Sequence, residues 1–365
     1  MVNREINVPL YIQVHAAILH AIKAGDFEHG QMLPAEKDLG AMYDVDRQTV
    51  RRSLSLLVAE GLIEKRAGVG SFVKGFPGLS EASDGVGTIA FLLPRASSGL
   101  DRITEPFNAT LFSSIEKFCR AESLHLTYMT AGRIEDLDRL PSDTVGVLAV
   151  SCIDEAVINE LNRRGVPSVL VNEFRADVTS VMPDSLGGAM EGVAHLLGLG
   201  HRVVGFISGL QGYVTSEERH EGFIRALQNA SLSWHDMPSA EGDWTFDGGY
   251  NAMQCLLQRS GPVPTAVFAA NDVMAFGAIH AISDSGLSVP RDISVLGFDD
   301  IDQCRYSIPP LTTIRVDVEL TARIVARNLF GLMQSRSRES YRIIVPTHLV
   351  VRDSTAAPGR RRKGS

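Results

Sequence analysis

Side chains suited to reading bases gather on one short stretch of this chain: Arg47, Gln48, Thr49, Arg51 and Arg52. The chemistry open to them is recognition. A guanidinium can donate two parallel hydrogen bonds to guanine O6 and N7, and a glutamine amide matches adenine N6 and N7. The elements that must position them are legible on either side. Asp46 stands where a carboxylate can accept the free N–H groups of a helix's first turn. Val50, Leu54, Leu57 and Val58 recur at i, i+4, i+7 and i+8, which predicts the face to be buried. Arg47, Gln48 and Arg51 then stay outside, on the turns that a recognition helix pushes into the major groove. Residues 62–66 and 71–74 can pair as strands across Ala67-Gly68-Val69-Gly70, whose glycines permit positive φ. That hairpin is a wing, and it adds Arg66 and Gly68 to the candidate DNA contacts. The competing reading, a charged helix face that merely meets water, loses ground once the neighbouring elements are counted.

Upstream, residues 9–24 carry Ile12, Ile18, Leu19 and Ile22 at near-helical spacing, with Gly25 as a candidate C-cap. Pro34 opens a short helix over 35–43 with Leu39 and Met42 inward. Together these predict a winged helix-turn-helix over 1–74. The blocks Pro9-Leu-Tyr-Ile-Gln, Leu33-Pro-Ala-Glu-Lys-Asp-Leu, Asp46-Arg-Gln-Thr-Val-Arg-Arg-Ser-Leu, Glu60-Gly-Leu-Ile and Gly68-Val-Gly-Ser-Phe-Val occur in order. In them this segment resembles the DNA-binding domain of the GntR family. Ala35 and Asp46 stand where that family usually has serine. Aspartate preserves a cap before the recognition helix, whereas Ala35 removes one before the short helix.

Composition sets bounds. The 365 residues suffice for two or three domains, and the net charge of −8 gives no global signal for nucleic acid. The first 75 residues hold nine Lys/Arg and nine Asp/Glu. DNA affinity must therefore come from local clustering of Arg47, Arg51, Arg52, Lys65, Arg66 and Lys74. Cys119, Cys152, Cys255 and Cys304 are scattered with no Cys-x-x-Cys pair, as expected for buried thiols in a reducing cytosol. No apolar signal core and no run of about 18 apolar residues is present, so the cytoplasm is the expected location. Residues 75–85 hold no apolar periodicity and are expected to be a flexible linker. Residues 356–365, ending Gly359-Arg-Arg-Arg-Lys-Gly-Ser, are expected to be a disordered basic tail.

From residue 86 to 355 the pattern changes. Strand-like runs at 89–93, 144–150, 168–171, 203–207, 266–269 and 293–298 alternate with helical stretches at 107–121, 155–164, 186–199, 217–230, 250–258 and 273–285. Such alternation predicts parallel, doubly wound α/β sheets, and the length predicts two lobes. In open α/β sheets ligands bind beyond the carboxyl ends of strands. That rule singles out Ser208, Gly209, Asn271, Asp272, Asp299 and Asp300, with Arg219 on the next helix and Trp244 nearby. Carboxylates and amides satisfy vicinal hydroxyls, and an aromatic face covers the C–H side of a sugar. Helix capping is the competing role for Asn271 and Asp300.

The segments Thr88-Ile-Ala-Phe-Leu-Leu-Pro, His195-Leu-Leu-Gly-Leu-Gly-His-Arg, Ser216-Glu-Glu-Arg-His-Glu-Gly-Phe, Pro264-Thr-Ala-Val-Phe-Ala-Ala-Asn-Asp, Pro290-Arg-Asp-Ile-Ser-Val-Leu-Gly-Phe-Asp-Asp and Pro309-Pro-Leu-Thr-Thr-Ile resemble the LacI/GalR effector domain. That domain is similar to periplasmic sugar-binding proteins. The resemblance implies effector contacts by Asp184, Arg219, Trp244, Asn271 and Asp299, and a homodimer. That family's own helix-turn-helix and hinge helix are replaced here by the GntR-like reader, an arrangement similar to arabinose-repressor-type regulators.

Rival functions lack their motifs. There is no Gly-x-Gly-x-x-Gly, phosphate loop or His-Glu-x-x-His, and Ser114-Ile-Glu-Lys117 sits alone in a helical stretch. His195 and His201 are expected at a helix end, with a solvent-facing histidine rather than a metal pair. No cofactor or metal is expected. The expectation is a regulator of carbohydrate genes, most simply a repressor, that binds operator DNA and a sugar or sugar phosphate. An activator or a non-sugar effector remains open, with a sugar receptor or an enzyme further behind.

Overall fold

The structure, a computed structural model, describes residues 10–23, 27, 30–59, 63–66, 70–73, 87–95, 102–151, 153–334 and 339–359. They fall into two compact units divided at Val86/Gly87. The anticipated linker, the wing tip with Gly68, and Gly25, Lys74 and Cys152 lie outside the described residues, as do the side chains of Ile12, Leu19 and Ile22.

The first unit comprises α1 (Leu10–Lys23), α2 (Glu36–Tyr43), α3 (Arg47–Ala59) and an antiparallel hairpin of β1 (Ile63–Arg66) and β2 (Gly70–Val73). Val14, Ile18, Leu39, Val50, Leu54, Leu57, Ile63 and Val73 form its core. Two side chains expected inside are not: Val58 is 39% exposed and Met42 59%. Val58 lies 80° around the helix from Val50, and the face it was assigned to is completed on the other side by Ser53. Buried Ser53 donates its hydroxyl to Tyr11 O (2.7 Å), which ties α3 to α1. The sheet gains a third chain that the alternation pattern hid: Gly30 N–H donates to Val73 O (2.8 Å), and Leu33 N–H to Ser71 O (2.8 Å).

The second unit contains two six-stranded sheets among the described residues. Sheet one is built from β3 (Thr88–Pro94), β4 (His125–Ala131), β5 (Thr144–Val150), β6 (Ser168–Val171) and β7 (Ser180–Pro183), with α4 (Pro106–Ala121) and α5 (Glu155–Arg163) between strands. The chain then runs through α6 (Ser185–Gly198), β8 (Val204–Ser208), α7 (Val214–Asn229), β9 (Ser239–Glu241), α8 (Phe246–Gln258), β10 (Ala266–Ala269), α9 (Asp272–Asp284), β11 (Ser294–Asp299) and β12 (Thr312–Val316). After α10 (Val318–Gln334) it adds β13 (Arg342–Val345) to sheet one and β14 (Thr347–Val350) to sheet two. The orders are β13-β7-β6-β5-β3-β4, wholly parallel, and β14-β12-β11-β10-β8-β9, parallel except for β14. Strands buried on both faces read as continuous apolar runs, which is why 144–150, 168–171 and 266–269 were legible to the residue.

Three crossings join the lobes: at Asp184, through 316–318, and at Pro346. Two of them are bonded directly, since Asp184 N–H donates to Val345 O (2.8 Å) and Thr347 Oγ1 donates to Asp184 O (3.0 Å), and the third lies alongside through the pairing of Val316 with Thr347. Phe107 packs against the cores of both lobes.

Residues 356–359 of the expected tail are anchored, and 360–365 lie outside the described residues. Ala356 bonds Ser294 Oγ and accepts from buried His201, so the expected disorder does not hold for 356–359. His201 is 1% exposed, held between Thr265 Oγ1 and Ala356 O (both 2.9 Å), which corrects the solvent-facing assignment. Cys119 and Cys304 are buried, whereas Cys255 is exposed. Among the described residues no helix is long and apolar enough to cross a membrane.

Helices α8 and α9 touch backbone to backbone because glycines face each other. A Cβ on Gly277 would fall 2.1 Å from Phe246 O, and one on Gly249 2.2 Å from Met274 O. Gly277→Ala should therefore overpack this contact and lower stability by about 1–3 kcal/mol. Urea unfolding measures it, and a loss below about 0.5 kcal/mol, within the range of ordinary surface substitutions, would contradict the close approach.

Candidate functional site

Two surfaces carry the predicted side chains, one in each unit. In the reader, Asp46 caps α3: Thr49 N–H donates to Asp46 Oδ1 (2.9 Å) and the Thr49 hydroxyl to Oδ2 (2.8 Å). The Thr49 N–H bond is the main reason the Asp46 carboxyl lies below its usual range. Thr49 thus spends its hydroxyl on the cap. Gln48 and Arg51 are exposed and have no side-chain hydrogen bond or ion pair among the described residues. Arg52 stacks on Tyr11, with its guanidinium carbon 4.2 Å from the ring centre. Arg66 lies 4.4 Å over Phe72 and pairs with Glu64 (2.5 Å).

Sequence reasoning missed Glu36. Its carboxylate accepts from Arg47 Nε (2.9 Å) and Lys65 Nζ (3.2 Å), bridging the recognition helix and the wing. The Arg47 bond is the leading cause of its lowered pKa. An acid at the first position of a helix beside two basic elements was the available signal. The Arg47 side chain is 78% exposed, so the pair is weak enough to yield to a base or phosphate. An open groove runs between α2, α3 and the hairpin, lined by Glu36, Lys37, Arg47, Lys65, Arg66 and Gly70.

In the two-lobed unit, four of the five predicted effector residues converge. Arg219, 4% exposed, donates Nη1 to Ala270 O and Nη2 to Asp299 Oδ1 (3.2 Å). Its guanidinium lies 3.8 Å from the Phe298 ring centre and 5.7 Å from that of Trp244. Asn271 does two jobs. Its Oδ1 accepts from Met274 N–H to cap α9 (2.9 Å), and its Nδ2 donates to Trp244 O (3.2 Å). Trp244 adopts φ +71 and meets Tyr213 edge-on at 5.9 Å. Gly209 is required beneath it, since a Cβ there would fall 2.1 Å from the indole. Asp184 stands apart at the lobe crossing, capping α6 through Gly187 N–H (2.8 Å), and no hydrogen bond joins it to the other four. Asp300 is not a helix cap: it is buried between Arg315 and Arg352 (both 2.6 Å).

Among the described residues, five buried side-chain N or O atoms lack a hydrogen-bond partner: Arg102 Nε, Asn172 Oδ1, Ser185 Oγ, Arg219 Nε and Trp244 Nε1. Every one belongs to a residue just past the carboxyl end of a strand or on the element that follows it. Three donors, one acceptor and one hydroxyl left unsatisfied are the complement of a ligand rich in oxygens. Arg102 reaches across from the first lobe, its guanidinium carbon 5.3 Å from the Tyr213 ring. The strand-end rule, applied to 168–171, would have found Asn172.

Burial pushes four carboxyls around the cleft upward: Asp272 to about 8, Asp299 to about 6, and Glu105 and Glu218 in the same direction. Arg219 opposes the shift at Asp299, and Arg102 at Glu105. Burial also drives the Cys304 thiol far up, which leaves it unreactive.

Residues 10–73 match the family of bacterial regulatory proteins known as gntR, and residues 193–355 match a periplasmic binding protein-like domain. Over 260 residues the chain is 33% identical to the HTH-type transcriptional repressor PurR of Histophilus somni, covering 68% of this chain and 78% of that one. The chain belongs to the LacI/GalR-type transcription regulators and carries a GntR-family reader. It is 34% identical over 214 residues to the probable HTH-type transcriptional repressor ExuR of Bacillus subtilis, covering 58% of this chain and 64%, just under two thirds, of that one. Among solved structures, the CelR–cellobiose complex is 26% identical with a TM-score of 0.68, covering 88% of this chain and all of that one. A LacI family regulator from Enterococcus faecium with bound ribose is 27% identical with a TM-score of 0.66, covering 74% and 99%.

Raised carboxylate pKa values carry a sign. Asp272 and Asp299 hold protons more tightly folded than unfolded, so stability is fullest below pH 4 for these groups. It falls as pH rises through about 6 and about 8. Each contributes at most about 1.4 kcal/mol per pH unit in that window. Asp272→Asn reproduces the protonated form, since its amide can donate to Thr313 Oγ1 while its oxygen accepts from Ile301 N–H. Urea midpoints between pH 5 and 8 should slope less steeply in this variant, and an unchanged slope would acquit the buried acid.

Proposed function

We propose that this protein is a DNA-binding transcription regulator, most simply a repressor of carbohydrate genes, whose operator affinity is set by a neutral sugar held between two lobes. The observation that supports the effector half is the set of five unpartnered buried polar atoms at strand ends. The charge balance narrows the ligand. Arg219 faces Asp299 (3.2 Å) and Arg102 faces Glu105 (3.9 Å), so each cation in the cleft already has its acid. A phosphate dianion would need surplus positive charge there, whereas hydroxyls need only donors and acceptors. Trp244 and Tyr213 supply apolar faces for the sugar's C–H side. The sugars named in the ribose and cellobiose complexes are of this neutral kind.

The reader half rests on Gln48 and Arg51 standing bare on a capped helix beside a basic hairpin. We place the protein in the cytoplasm as a homodimer. Tyr306 and Ile308, 80% and 91% exposed, give the effector unit apolar surface for a second copy, and two readers suit a pseudo-palindromic operator. The sugar acts by preferring one lobe arrangement, so sugar and operator affinities are reciprocally linked.

Arg51→Ala should weaken operator binding by about 1–3 kcal/mol. Binding to operator and random duplexes across salt concentrations checks it. A uniform loss with a shallower salt slope assigns Arg51 to phosphate, and no loss removes it from the interface. Arg219→Ala should abolish the thermal shift produced by the cognate neutral sugar while leaving operator affinity intact. Screening that shift with free sugars and their 6-phosphates tests the charge argument, and a response confined to the phosphates would overturn it.

A further inference from the structure

The carboxyl-terminal strap is held to the second lobe by two backbone hydrogen bonds, Val295 N–H to Ser354 O (2.9 Å) and Asp353 N–H to Pro310 O (3.1 Å), and by side chains. Arg352 N–H donates to Thr312 Oγ1 (2.9 Å), and Ser354 Oγ accepts from Thr312 N–H (2.7 Å) while donating to Val295 O (2.6 Å). The Arg352 guanidinium turns inward. Its Nη1 donates to Leu311 O (2.7 Å) and its Nη2 to Asp300 Oδ1 (2.6 Å). Arg315 Nε, from β12, takes the other oxygen of Asp300 (2.6 Å). The Asp300 side chain is 2% exposed, a buried carboxylate saturated by two arginines.

Asp300 follows Asp299 directly, and both hold positive φ, +57 and +115. Non-glycine residues remain in that region only where their surroundings over-determine it. Three ties do so here. Arg219 holds Asp299 in front, Arg315 and Arg352 hold Asp300 behind, and Asp272 Oδ2 accepts from the next backbone N–H, that of Ile301 (3.0 Å). Of the four side chains involved, only Arg352 comes from outside the α/β core.

We propose that Arg352 is a positioning residue for the effector cleft: through Asp300, the carboxyl-terminal strap holds the strained 299–300 turn that aims Asp299 at Arg219. The inference rests on the reading of Arg219 and Asp299 as cleft residues. Removing the Arg352 charge leaves Asp300 buried with one cation, relaxes the turn and changes how Asp299 meets Arg219. A strap that merely staples the lobe together would lower stability and leave the Asp299–Arg219 geometry alone.

The test uses the full-length chain with Trp234→Phe, which leaves Trp244 as the sole emitter of the two tryptophans. Trp244 emission is followed against pH in the absence of sugar, because the Arg219 guanidinium beside it responds when Asp299 takes a proton. Glu105, Glu218, Asp272 and His220 also titrate around the cleft, so Asp299→Asn identifies which step belongs to Asp299. Arg352→Met should shift that step by about half a pH unit or more, or remove at least about half its amplitude. Arg352→Lys, which keeps the charge beside Asp300, should restore part of it. A variant that melts earlier yet titrates like the parent overturns the proposal. If Arg352→Met does not fold, Asp300→Asn, which preserves shape and one acceptor, makes the same comparison. Thermal shifts with ribose and cellobiose judge the cleft reading separately. A parent that responds to neither, with the titration still altered by Arg352→Met, would count against the sugar assignment and leave the positioning role standing.

Discussion

A guanidinium buried almost completely at Arg219 governs the second unit. An isolated charge there would be prohibitive, so the fold must supply partners from several elements at once. Asp299 supplies the countercharge, Ala270 a carbonyl, and Phe298 and Trp244 aromatic faces. Those partners come from the ends of β10 and β11 and from the segment after β9. The requirement that they meet explains other oddities nearby: Trp244 and Asp299 at positive φ, Gly209 without a side chain, and Asn271 spending its amide on the Trp244 carbonyl. A site tied this tightly on one side and left with unpartnered atoms on the other is preorganised for a ligand that brings oxygens.

The lobes are joined by three neighbouring crossings, two bonded directly and the third alongside, which suits rotation about a common hinge better than independent flexing. Asp184 sits at this hinge, where its carboxylate caps α6 and its backbone meets the crossing at Pro346 from both sides. Contacts that span the cleft, such as Arg342 with Glu218 and Arg102 over Tyr213, lie where ligand and lobe movement would compete for the same groups. On the proposed function, a sugar engaging Arg102 from one lobe and Arg219 from the other would stabilise one lobe arrangement over the alternatives. That preference is the only means by which it can alter DNA affinity.

The reader solves a different electrostatic problem. Its charges balance overall, so placement must do what net charge cannot. Glu36 gathers Arg47 and Lys65, aromatic rings hold Arg52 and Arg66 flat, and Gln48 and Arg51 have no side-chain partner among the described residues. On the proposed function, preordering the flanking cations would lower the entropy lost on binding DNA, while Gln48 and Arg51 would retain the reach needed to test base edges.

Local pattern was enough for much of this. Apolar runs bounded by turns located the doubly buried strands, Asp46 announced the start of α3, and motif order identified both units. Arg219, Trp244, Asn271 and Asp299, which the structure brings together, could be grouped from sequence because strand ends are short-range features. What the pattern could not carry were relations between residues distant in sequence. Val58 and Met42 look apolar in any window, but whether a helix position faces the core depends on its neighbours, and here Ser53 took the inside place. His201 reads as a helix-end residue until the chain returns, 155 positions later, to bring Ala356 against it. Asp300 looks like a cap until Arg315 and Arg352 converge on it. Periodicity and propensity are local and were decided by the sequence alone. The pairing of buried charges and the docking of the strap required the tertiary structure, because only folding brings such groups together and removes the water that would otherwise satisfy them.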